Sequence, residues 1–261
     1  MQKILMCPPT FFDVAYSINP WMDKIHRVDH LKAHSQWEAV KAAYEAEAIG
    51  VETITPVEGL FDMTFCANAG IVYGKTFISS NHRYEERKGE EQLYQEWFVQ
   101  HGYDVQLLHS NNSGEGDARF YQNKLYLGWG FRSTVESHRE IQQLIPVETV
   151  SLQLVNPYFF DLDTAFCPIG DKAILYYPEA FSAESAQHIK NLPNAIAIDR
   201  DEAKGFIGNS VLVNDTLFVE YSDPVIEKTI QELQIQMRLF DMSEFKKSGG
   251  GIKCITLLLD H

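Results

Sequence analysis

Near the far end of the sequence, Ser248-Gly249-Gly250-Gly251-Ile252-Lys253-Cys254 sets a cysteine three positions after a run of three glycines. Glycine permits backbone conformations closed to other residues and lets the chain come close to a ligand. The apolar run from Ile252 to Leu259 reads as a buried strand, which puts Cys254 at its mouth. A cysteine there is a candidate nucleophile or thiolate ligand, because thiolate reactivity follows partial exposure and a positive surrounding. The competing reading is a small apolar core residue, since unpaired cysteines are among the most buried types.

Polar residues recur upstream at comparable places. Asn68 precedes the turn Gly74-Lys75, Glu115 precedes Gln122-Asn123, Asp161 and Asp163 precede Gly170-Asp171, and Asn209 precedes Asn214-Asp215. Singly, the asparagines read as turn residues, Glu115 as part of a solvated loop, and Asp163 as a cap. Collected around one thiol, they would form an acceptor-rich pocket for a planar guanidinium, which presents five donors in a fixed fork.

What could collect them is a recurring unit of strand, hairpin turn, strand, helix and strand. One copy spans Ile71–Tyr73, Thr76–Ser79, a helix over 85–101 and strand 105–108. A second has strands 118–121 and 124–127, a helix from a capping box at Ser133 to Leu144, and strand 147–154. A third has strands 164–169 and 172–177, a helix over 183–190 and strand 195–198. A fourth has strands 210–213 and 216–221 and a helix from Pro224 to Phe240. The fifth closes across the ends, with strands 252–259, 3–6 and 51–57 and a helix opened by the capping box Ser35-Gln36-Trp37-Glu38. No unit buries both faces alone, so a closed radial α/β arrangement over residues 1–261 is expected, one domain with the polar positions converging on its axis.

The formal charge of −14 argues against nucleic acid and anionic membrane as partners and suits a small cationic substrate. No apolar run approaches the length needed to span a bilayer, and Pro8-Pro9 cuts short the apolar opening Met1–Met6, so a cytoplasmic protein is expected. Cys7, Cys66, Cys167 and Cys254 are widely spaced without a CxxC pair, which argues for reduced thiols and against a zinc knuckle.

The segments Phe65-Cys66-Ala67-Asn68-Ala69-Gly70, Gly114-Glu115-Gly116-Asp117, Leu162-Asp163-Thr164 and Gly249-Gly250-Gly251-Ile252-Lys253-Cys254 resemble the guanidino-group-modifying, or pentein, superfamily. This superfamily includes dimethylarginine dimethylaminohydrolases, arginine deiminases, arginine dihydrolases and glycine amidinotransferases. Cys7-Pro8-Pro9 and Asn19-Pro20-Trp21-Met22 look most like the dimethylarginine hydrolase and arginine dihydrolase branch. The resemblance implies a five-bladed α/β propeller of ββαβ modules with pseudo-fivefold symmetry, and a hydrolase of arginine, dimethylarginine or agmatine. It implies Cys254 as nucleophile through an amidino-thioether, Glu115, Asp163 and Asn68 on the guanidinium, and Arg87 and Arg132 on the substrate carboxylate. It extends substrate contact to Asn19 and Asn209. No cofactor and no metal are implied, and the oligomeric state is left open, a homo-oligomer included.

The family's His-Leu-Asp-Thr reads Asp161-Leu162-Asp163-Thr164 here, so an aspartate stands where the resemblance puts the catalytic histidine. Imidazole exchanges protons near neutral pH, whereas a carboxylate does so only when burial or like charge raises its pKa. Three readings stay open: an engineered change, a natural variant with Asp161 as acid and base, or a homologue that binds guanidino compounds without turnover. An amidinotransferase is a further alternative.

Overall fold

The computed structural model describes residues 2–259, so Met1 of the opening strand segment lies outside them. The chain runs β1 (Lys3–Met6), α1 (His30–Ala46), β2 (Gly50–Thr53), β3 (Gly70–Tyr73), β4 (Thr76–Ser79), α2 (Glu85–Gln100) and β5 (Asp104–Leu107). It continues through β6 (Ala118–Tyr121), β7 (Lys124–Trp129), α3 (Val135–Leu144), β8 (Glu148–Gln153), β9 (Phe166–Ile169), β10 (Ala173–Tyr176), α4 (Ala183–Lys190) and β11 (Ala195–Ala197). The remainder is α5 (Arg200–Lys204), β12 (Val211–Val213), β13 (Thr216–Val219), α6 (Pro224–Glu232), β14 (Gln236–Leu239), α7 (Ser243–Lys246) and β15 (Leu257–Leu258).

These strands form five three-stranded sheets with one shared plan: β3-β4-β5, β6-β7-β8, β9-β10-β11, β12-β13-β14 and β15-β1-β2. In each, the first two strands pair antiparallel and the third returns parallel to the second after a helix, as in Ile71↔Ile78 and Phe77↔Val105. The fifth sheet joins the two ends of the chain, with Ile4 opposite both Leu258 and Val51. This is the ββαβ propeller expected from the repeat.

Local chemistry explains the hairpins. Gly74, Gln122 with Asn123, Gly170 and Asn214 all have positive φ, the backbone hand that two-residue hairpin turns require. Inside each sheet the leading strands are buried, while returning strands such as β5 and β14 are mostly exposed or half-buried at the rim. Helices lie outside, each burying one stripe; α1 buries Ala33, Trp37, Val40, Ala43 and Tyr44.

Several boundaries differ from the sequence reading. Helix α1 starts at His30, where the Asp29 side chain accepts from Lys32 N, so Ser35 is an exposed residue inside the helix and no cap. The Ser133 hydroxyl likewise caps nothing; it donates to Asp117 Oδ2 at 2.6 Å. Helix α6 ends at Glu232, and the segment read as its continuation contains β14. The apolar run after the glycines is mostly turn, with only Leu257–Leu258 extended, so Cys254 precedes the strand and does not sit in it.

Candidate active site

Each module enters its first strand through a tight turn that carries the polar residue singled out above. Asn68 lies in the 3-10 turn Cys66–Ala69, Glu115 in Gly114–Gly116, Asp163 in Leu162–Thr164 and Asn209 in Ile207–Asn209; Cys254 occupies the turn before β15. A turn is needed because a strand alternates its side chains between two faces, whereas these residues must all point along the axis.

Neighbouring turns are stitched into a ring. Ala67 N donates to Cys254 O at 3.0 Å, Asn68 Nδ2 to Ser113 O at 3.1 Å, and Leu162 N to Asp117 Oδ1 at 2.9 Å. Asn209 Nδ2 donates to Asp163 O at 3.1 Å, and Lys253 N to Asn209 O at 3.1 Å, which closes the circuit.

At the thiol, Cys254 Sγ lies 3.2 Å from Asp163 Oδ2 and accepts from Asn209 Nδ2 at 3.2 Å. Asn209 Oδ1 takes the backbone N–H groups of Lys253 and Cys254, so a single amide fixes both the backbone and the sulfur of Cys254. Asp161 Oδ2 accepts from Arg132 Nη1 at 2.9 Å and Asn68 Nδ2 at 3.0 Å. The opposite oxygens, Asp161 Oδ1 and Asp163 Oδ1, are buried without a hydrogen-bond partner. Glu115 pairs with the buried Lys253 ammonium at 2.9 Å.

Both predicted arginines are interior. Arg87 forms a two-pronged pair with Glu90 and donates to Asn68 Oδ1 at 2.7 Å; Arg132 lies over the Phe160 ring at 4.1 Å. Asn19 is engaged with backbone and does not line the cleft that holds the thiol. Its amide donates to Ser248 O at 2.9 Å and its oxygen accepts from Trp21 N, while the Trp21 indole donates to Tyr158 O at 2.7 Å, so this loop is pinned over the glycines. Asp62, Asn68, Arg87, Arg132, Asp161 and Cys254 line one cleft of about 10 Å³, room for a single water.

The glycines are required sterically. Gly249 has φ +75, and a Cβ on Gly250 would lie 2.4 Å from the Phe65 ring. On Gly251 it would lie 1.7 Å from Glu220 Oε1, the oxygen that accepts from Ile252 N at 2.7 Å.

Electrostatically the site is the reverse of the expected positive surrounding. Burial, then the charge of Asp163, pushes the Cys254 thiol well above its ordinary range. Burial, then Asp161, pushes the Asp163 carboxyl up to about 7, and burial alone is the largest cause raising Glu220 to about 8. A partly exposed thiol was also expected, whereas Cys254 is buried. Nor do Asp161 and Asp163 share a strand face: Asp161 precedes the 3-10 turn and meets Arg132, Asp163 lies within it and meets Cys254. Sequence reasoning assigned no role to Lys253, Glu220, Asp117 or Asp62. Lys253 lies between Ile252 and Cys254 after the three glycines, and a cation set between two apolar residues is the signal that it is buried and paired.

No family model matches the chain. It is 38% identical over 263 residues to a bifunctional arginine dihydrolase/ornithine cyclodeaminase of Synechocystis, with 98% of this chain covered. The chain spans 37% of that relative's length. It is 35% identical over 264 residues to an N(G),N(G)-dimethylarginine dimethylaminohydrolase of Mycobacterium tuberculosis, with 98% of this chain and 85% of the relative covered. Among solved structures, the N-terminal domain of a cyanobacterial arginine dihydrolase, a cysteine-to-serine mutant bound to substrate, superposes with TM-score 0.96 at 35% identity, covering 100% of this chain and 99% of that one. With the fivefold ring of ββαβ modules and this extent of similarity, the chain belongs to the guanidino-group-modifying pentein superfamily, close to the arginine dihydrolases and dimethylarginine hydrolases.

Proposed function

We propose that the chain is an amidine hydrolase acting on the guanidino group of arginine or a related compound such as dimethylarginine or agmatine, within a single domain in a reducing, cytoplasmic compartment. The observation that carries this reading is a pair of unpartnered buried carboxylate oxygens, Asp161 Oδ1 and Asp163 Oδ1, on residues that meet the Cys254 thiol or share its cleft. Buried acceptors without donors are costly, and a planar cation supplies the missing donors along with compensating charge.

In this mechanism Asp163 and Glu115 take guanidinium N–H groups, with Asn68 beside them. A bound cation favours the thiolate, offsetting the burial and the Asp163 charge that hold the thiol protonated in the free protein. The Cys254 proton passes to Asp163 Oδ2, and sulfur attacks the guanidinium carbon. The tetrahedral adduct expels ammonia or an amine once the leaving nitrogen takes the proton that Asp163 received from Cys254, leaving an amidino-thioether. Water then adds to that carbon, its proton going to a carboxylate, and the thiolate leaves. Asp161 would exchange its protons through Oδ1, because Oδ2 is already engaged by Arg132 and Asn68. Arg132 and Arg87 sit at the cleft wall, suited to a substrate carboxylate.

The test is incubation with arginine, dimethylarginine and agmatine, scored for ammonia, amine and ureido products beside a binding assay. Cys254→Ser should abolish turnover and the covalent adduct while retaining ligand affinity; persistent turnover in that variant overturns the mechanism. One observation favours a second reading, a guanidino-binding protein without turnover: Asp161 forms a buried ion pair with Arg132 where an uncharged acid–base group would be expected. Binding across the panel without product would select it. An amidinotransferase would instead release its amidino group only when an amine acceptor is added.

A further inference from the structure

Bordered by the Lys253–Glu115 pair and sharing no lining residue with the catalytic cleft, a second cavity of about 150 Å³ opens along the first strands of the modules. Phe120, Pro168, Val211, Leu212 and Leu258 form the apolar part of its walls, beside the charged Glu115, Arg119 and Lys253. Into it faces Arg119, a residue of β6 that is 9% exposed. Its Nε has no hydrogen-bond partner, and it has no ion-pair partner among the described residues, whereas Arg87 and Arg132 have Glu90 and Asp161. The Cys167 thiol lies beside the guanidinium, and the charges of Asp163 and the Tyr44 hydroxyl feel it through space. Glu115, the carboxylate bordering the cavity, is held by Lys253.

A guanidinium cannot shed its proton, so an inward-facing arginine lacking a carboxylate calls for an anion from outside. The cavity is far larger than one water needs. Apolar wall beside a guanidinium whose neighbouring cation, Lys253, is already paired with Glu115 favours an anion with an apolar body over a fully hydrated one such as phosphate. We infer that this axial cavity is a binding site, separate from the catalytic cleft, for a small organic carboxylate whose carboxyl group meets Arg119 and whose short apolar part lies against Val211, Leu212 and Leu258.

Isothermal titration calorimetry on the full chain in a buffer without other carboxylates tests this with butyrate, inorganic phosphate and the neutral butyramide. Butyrate should bind with one-to-one stoichiometry, butyramide should not, and Arg119→Gln should weaken butyrate by about tenfold or more. Should Arg119→Gln fail to fold, Leu212→Trp keeps the charge but fills the cavity, and it should lose butyrate equally. Phosphate binding in preference to butyrate overturns the carboxylate assignment. Butyrate binding that survives both variants yet disappears in Arg132→Gln places the anion in the catalytic cleft and overturns the site.

Discussion

At the residue scale, the question is which carboxylate handles protons. Asp161 stands where the sequence resemblance puts the family's histidine, with one oxygen spent on Arg132 and Asn68 and the other open. If it is an impaired substitute, Asp161→His should raise the hydrolysis rate near neutral pH by about 10²–10⁴-fold, the range over which general acid–base catalysis acts. A parent already active, whose rate falls as pH rises and whose histidine variant is no faster, would show instead that the carboxylate does the work. Asp163 makes a separate prediction. Its negative charge is the second-largest cause raising the thiol, so Asp163→Asn should bring the pH midpoint for alkylation of Cys254 downward. Rates of iodoacetamide modification measured against pH decide it, and an unmoved or higher midpoint would count against the contact.

At the element scale, the glycine turn and the helix starts carry the predictions. Gly250→Ala places a Cβ against the Phe65 ring, which is packed between Phe12 and Phe245, so it should cost about 1–3 kcal/mol in urea unfolding, as overpacking does. Asp29→Ala should cost about 1 kcal/mol as a lost cap, while Ser35→Ala, on the exposed side of α1, should be neutral or slightly stabilising. That pair of variants also shows where the sequence was legible. The hairpins could be read because Gly74, Asn123, Gly170 and Asn214 are residues that accept positive φ, a purely local requirement. The site positions could be read because each falls at the same place in the repeat. Ser35 and Ser133 misled because a capping-box pattern is a statement about four residues, and the winning partners lay elsewhere: Asp29 six positions earlier for α1, and Asp117 in another turn for the Ser133 hydroxyl. The buried pairings of Arg87, Arg132 and Lys253 were beyond reach, since charge in a sequence does not announce which modules will meet.

At the scale of the whole molecule, the axis concentrates buried charge, and stability should follow its titration. Glu220 has a folded-state pKa near 8 against an ordinary carboxyl value of 4.5. Above the ordinary value an unfolded chain gives up this proton while the folded one keeps it, so the contribution is fully present at low pH and is lost as pH rises through about 8. Glu220→Gln retains an acceptor for Ile252 N, and its Tm relative to the parent should therefore climb between about pH 5 and pH 8.5. A difference that stays flat with pH would contradict the assignment. Lys253→Met, which strands the Glu115 charge between modules, should cost about 3–5 kcal/mol, measured in the same way.

The stitched ring of turns also bears on how the protein is made. Its closing contacts, Ala67 to Cys254 and β1 to β15, join residues far apart in the described chain, and such non-local contacts carry a large loop-closure entropy and form slowly. Cys254 takes part in this closure, its carbonyl accepting from Ala67 N. The thiol is therefore a clock for folding: during refolding it should stay open to a reagent after the first four sheets have gained their secondary structure, and fall silent at the moment the circle shuts.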